Sequence, residues 1–122
     1  MRASPILLLV YAGIVVLSLA ASAEQEMLTI GKYDGYITFS NNSGQSIEDA
    51  IIIDYAQGEE DGEASEYYYL QEKFGQIDVD WFLESQELVT EEKRFYDKMN
   101  IELADKTRAT VYFDITEFFG VI

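Results

Sequence analysis

The chain has 122 residues, no cysteine, no histidine and a formal net charge of −15. Those absences exclude disulfide stapling, imidazole bases, Ser–His or Cys–His nucleophile pairs, and the usual zinc and copper sites. The acidity argues against nucleic acid and anionic membrane surfaces as partners, because both repel carboxylates.

Acid is not spread evenly. Residues 44–92 hold fifteen acids and a single base, Lys73, whereas residues 93–122 hold five of each. Such asymmetry favours a cationic protein partner, a metal ion, or plain solubility.

The first element in chain order is a leader. Arg2 precedes residues 6–20, which are apolar apart from Ser18, and Ala21-Ser22-Ala23 supplies a small-x-small cleavage pattern. This predicts a signal peptide over 1–23, removed after Ala23, and hence a periplasmic or secreted protein. The run is shorter than the ~20 residues a span needs, so no stable membrane insertion is expected after cleavage. Residues 24–122, about 100 of them, are expected to form one small domain with one modest core.

Residues 28–30 and 36–39 alternate around Asp34-Gly35, which predicts a hairpin. Residues 41–46 are a polar loop, and Asn41-Asn42-Ser43 within it is formally a glycosylation sequon. Residues 46–55 admit two readings: Ser46-x-x-Asp49 resembles a capping box and Gly58 could end a short helix, whereas the β-branched Ile51-Ile52-Ile53 favours a cap-like turn leading into a strand. Ser46-Ile47-Glu48-Asp49-Ala50, with the late hairpin described below, resembles the opening of small exported PepSY-type domains, in which a capped helix precedes a hairpin. The chain departs from that pattern with a separate helix in between, so nothing is carried over.

That helix is predicted over 63–74. At 100° per residue, Ala64, Tyr67, Leu70 and Phe74 share one face, and Tyr69 points nearly opposite. Asp61 is the expected N-cap, Glu63 complements the helix dipole, and Gly75 stops the helix.

Ile77, Val79, Trp81 and Leu83 then alternate, and Leu88 is out of phase with them, so a bulge or strand end is expected near Ser85. Phe95, Asp97, Met99, Ile101 and Leu103 share a face of the next strand, as do Ala109, Val111, Phe113 and Ile115 of the last. A three-residue loop at Asp105-Lys106-Thr107 would set Lys98 opposite Asp114 and Asn100 opposite Tyr112. The fold expected is α+β, with one helix packed on a mainly antiparallel sheet that ends in a three-stranded meander.

Tyr67, Phe74, Trp81, Phe95 and Phe113 belong to the core by position. Tyr69 and Phe82 face away from it, among Glu66, Glu72, Asp78 and Asp80. Together these six compose a partner-binding surface, with desolvatable aromatics inside a charged ring. The competing expectation is that the apolar tail, residues 118–122, covers both aromatics.

Glu59, Glu60, Asp61 and Glu63 are candidate calcium ligands. They are nearly contiguous, whereas a calcium loop alternates its acids around a fixed glycine, so a solvated helix start is the simpler reading. No cofactor is expected. A hydrolase would have to rely on two carboxylates lining a cleft, and no enzymatic activity is expected. The chain therefore reads as an exported, acidic, non-enzymatic binding protein for a cationic protein, such as an inhibitor or immunity protein. A calcium- or small-ligand-binding domain using residues 59–63 is the alternative.

Overall fold

The computed structural model describes residues 14–18, 26–32 and 35–122, with side chains from Ile37 onward. Among the described residues there are seven strands: β1 (Ile14–Ser18), β2 (Glu26–Lys32), β3 (Gly35–Phe39), β4 (Ile51–Asp54), β5 (Trp81–Glu91), β6 (Arg94–Leu103) and β7 (Arg108–Asp114). A helix, α1 (Glu59–Phe74), separates β4 from β5. The strands lie in the order β1-β2-β3-β4-β7-β6-β5. All pairs are antiparallel except β4–β7, which is parallel, so the sheet is mixed and the α+β class holds. Apart from Ile14–Ser18, which pairs with β2, the expected leader lies outside the described residues. Among the described residues no helix is long and apolar enough to cross a membrane.

The hairpin β2–β3 pairs Leu28 with Phe39 and Lys32 with Gly35. After it, the Asp49 amide donates to Ser46 Oγ at 3.2 Å, and the Asp49 carboxylate accepts the Ser43 amide at 2.8 Å. The cap-like turn therefore leads into a strand, as the β-branched run requires. The Ser43 bonds also hold the Asp49 carboxyl below its ordinary range.

One face of the sheet is covered by α1. Ile37, Phe39, Ile51, Ile53, Met99, Ile101, Val111 and Phe113 form the sheet side of the core, and Leu70 and Trp81 close it. The helix sits differently from expectation. It begins four residues earlier, and its buried residues are Gly62, Ser65, Glu66 and Leu70, while Ala64 is exposed. The inward face is thus rotated by roughly one residue, or ~100°.

Gly62 shows why. A Cβ there would lie 2.2 Å from the Phe118 ring, so only glycine lets that ring pack against the first turns. Asp61 is not the N-cap; it lies in the first turn and accepts the Gln57 amide at 3.3 Å.

At the other end, Gly75 closes the helix by donating to the Gln71 carbonyl, and Trp81 Nε1 donates to the Gly75 carbonyl at 2.8 Å. The expected irregularity is a bulge between Leu83 and Ser85. The β6–β7 faces are as expected, but the register is not. Lys98 faces Tyr112, and Asn100 faces Thr110. The loop closes one residue earlier, with the Leu103 amide on the Thr107 carbonyl and Lys106 at φ 77. Asp105 fixes this turn by accepting from both the amide and the hydroxyl of Thr107. Asp114 pairs with Arg94 instead of Lys98.

Candidate functional site

Among the described residues, a concavity lies where the start of α1, the edge strand β5 and residues 115–119 meet. It is a pocket of about 180 Å³. Glu59 and Glu63 of α1, Gln86 of β5 and Asp97 of β6 supply its polar lining, and Leu88, Ile115, Phe118 and Phe119 its walls. No cationic side chain is among these. That volume suits one side chain or a small ion with its water and is below the ~300 Å³ of a typical ligand site.

The walls are built by the turn after β7. Ile115 and Phe118 are buried, and Phe119 stacks on Phe95 with ring centres 4.4 Å apart. The Glu59 amide donates to the Val121 carbonyl at 2.8 Å, and the Gly120 amide donates to the Glu59 carboxylate. The expectation that the tail covers Tyr69 and Phe82 is therefore corrected. Residues 118–121 pack on the beginning of the helix, because its free N–H groups and the Gly62 notch offer a partner for both a carbonyl and a ring.

Beneath the pocket lies Glu66. Its side chain is fully buried, and neither carboxyl oxygen meets a hydrogen-bond partner in good geometry. Burial is the main cause that raises its pKa to about 11, and Asp97 and then Glu63 add to the effect. Asp97 is within influence of Glu66 but is held by Gln86 Nε2 at 3.1 Å. Glu66 therefore keeps its proton, chiefly because burial penalises its charged form. Glu66 itself does not reach the pocket surface.

The six expected partner-binding residues are not brought together. Glu66 is interior. Tyr69 lies over the sheet, 5.2 Å from the Phe39 ring and 5.5 Å from Phe113, and burial raises its pKa. Both depart from a surface role, as the rotated helix face requires. Glu72 is half-buried, which raises its pKa, and it lies near Tyr68, whose buried hydroxyl has no partner. Asp80 accepts the Gln76 amide at 2.7 Å and fills the space beside Gly75. Asp78, with Val79 beside it, and Phe82 remain exposed, the last at 40%.

Of the four candidate metal ligands, Glu59 and Glu63 line the pocket, Glu60 is exposed elsewhere, and Asp61 serves Gln57. Among the described residues no three acidic side chains are placed to hold a metal ion. Sequence reasoning missed Gln86, Leu88 and Asp97. Leu88 falling out of phase next to an acid-bearing β6 face was the signal available. On the opposite face, a recess of about 430 Å³ includes Arg94, but its guanidinium is committed to Asp114 at 2.8 and 3.0 Å.

No protein-family model, curated protein or solved structure matches the chain.

Proposed function

We propose that the protein is an exported, non-enzymatic binding protein that engages a cationic protein partner, in the manner of an inhibitor or immunity protein. The observation that carries this reading is the pocket itself. Glu59, Glu63 and Asp97 surround a space whose other walls are Leu88, Ile115, Phe118 and Phe119. A lysine or arginine side chain has the matching form, an apolar stem and a charged end. The acidic stretch 44–92 would steer such a partner and speed association. The leader pattern of residues 1–23 supports export to the periplasm or beyond.

The test is retention of purified basic proteins by the immobilised chain at low and high salt. Retention at low salt that weakens with salt, and that falls with Glu63→Gln plus Asp97→Asn, is the expected result. If no basic protein is retained at low salt, the reading fails.

A further inference from the structure

The sheet ends at β5, an eleven-residue strand with β6 on one side only. Its first part is already occupied. The Trp81 carbonyl accepts the Asp78 amide at 2.7 Å, and the bulge between Leu83 and Ser85 breaks the ladder. From Ser85 to Glu91 the strand runs in unbroken register with β6. Among the described residues, no backbone hydrogen bond from outside the sheet reaches this stretch. An unpaired edge of that length is a template for another strand.

The pocket opens against the same stretch, since Gln86 and Leu88 form part of its lining. Leu88 is 51% exposed and lies beside the pocket acids. Beyond it lies Glu66, fully buried and without a hydrogen-bond partner in good geometry.

We infer that an extended, lysine- or arginine-bearing segment of a basic protein adds to β5 along Ser85–Glu91 and places one cationic side chain in the pocket. This rests on the cationic-partner reading above and specifies how that partner is held. Side chains of an added strand alternate between faces. On the helix side, one cation meets Glu59, Glu63 and Asp97, with its stem against Leu88 and Phe119. Its neighbours in sequence fall on the other face, where β5 presents Glu87 and Glu91, the former 4.0 Å from Lys98 Nζ. Charge selects against a second copy as the occupant. Two β5 edges would bring Glu87 and Glu91 of both copies into one ladder, and each chain carries a net charge of −15.

The experiment uses the full chain and two synthetic peptides of alternating lysine and threonine. They are identical except that alternate amides of one are N-methylated, which leaves its charge intact and removes hydrogen-bond donors. The unmodified peptide should bind, shift the amide resonances of residues 85–91, and protect them from exchange. The N-methylated peptide should bind about tenfold more weakly or worse. Glu63→Gln with Asp97→Asn should weaken the unmodified peptide without unfolding the chain.

Equal binding of both peptides, with shifts confined to acidic side chains, overturns strand addition while leaving the cationic-partner reading intact. Failure of both peptides, with retention of folded basic proteins, also overturns it alone. A dimer of the chain with protected 85–91 amides overturns it in favour of self-pairing.

Discussion

Glu59 and Gly120 hold each other across 61 residues of chain: the Gly120 amide donates to the Glu59 carboxylate while the Glu59 amide donates to the next residue's carbonyl, that of Val121. The helix N-terminus is thus closed by the chain's own end and not by a side-chain cap, since Gly58 at the cap position offers none. The Phe118 ring follows, seated on Gly62. This arrangement makes both the pocket wall and the helix start depend on residues 118–121.

Gly62→Ala tests that dependence. In an open helix the change would gain about 1 kcal/mol from helix propensity. Here the added methyl meets the Phe118 ring, and the expected outcome is a net loss of about 1–3 kcal/mol by overpacking. Urea denaturation at neutral pH measures it. A stabilised variant would show that Phe118 does not occupy the notch.

Glu66 sets a pH dependence with a definite sign. Its pKa is raised from 4.5 to about 11 by folding. The favourable contribution is complete below pH 4.5 and is lost as pH rises through 11, because the unfolded chain releases a proton that the folded one retains. At pH 7 the penalty is roughly 3 kcal/mol, since each pKa unit corresponds to 1.36 kcal/mol. Glu66→Gln should therefore stabilise the fold increasingly from pH 5 to pH 9 (approximate bounds set by those same pKa values) and match the parent near pH 4. Melting curves across that range decide it; a constant offset would place the proton elsewhere.

The β5–β6 turn is strained for its sequence. Glu92 and Lys93 take φ 51 and 67, the pairing of a two-residue hairpin that ordinarily selects Asn-Gly. Glu92→Asn with Lys93→Gly should raise stability by about 1–2 kcal/mol, seen as a higher denaturation midpoint with unchanged slope.

Tyr69 and Phe82 should respond differently to truncation, because only Tyr69 is packed over the sheet. Tyr69→Ala removes a ring packed on Phe39 and Phe113 and should cost about 3 kcal/mol or more. Phe82→Ser removes a ring exposed at 40% and should alter stability by under about 1 kcal/mol. Parallel denaturation of the two variants provides the comparison.

Parts of the sheet were legible from side-chain shape and parity, although residues 46–55 also admitted a short helix. Ile51–Asp54 reads as a strand because three β-branched residues follow a capped turn, and the break in parity near Ser85 is a bulge. The β6–β7 faces were also legible, because a shift of two residues keeps every side chain on its side. For the same reason the register was not: alternation cannot distinguish Lys98 opposite Asp114 from Lys98 opposite Tyr112. What decides it is the Asp105–Thr107 bonding and the left-handed Lys106. The helix face was misread because its centre is made by Gly62 and Glu66, a residue without a side chain and one with a carboxyl. No hydrophobic pattern marks either as interior. The pocket was illegible as a whole, since Asp97, Leu88 and Phe118 come from three separated segments.

The parallel pairing of β4 with β7 has a kinetic meaning. Ile51 meets Phe113 and Ile52 meets Asp114, and everything from α1 to β6 lies between them in sequence. The hairpins β2–β3 and β5–β6 are joined from neighbouring segments, but they become one sheet only when residues 108–114 slot between β4 and β6. Such a contact closes a long loop and is slow to form. Assembly of the sheet is therefore postponed until residues 108–114 are in place to join the two hairpins, so α1 and both hairpins can form before the sheet is whole.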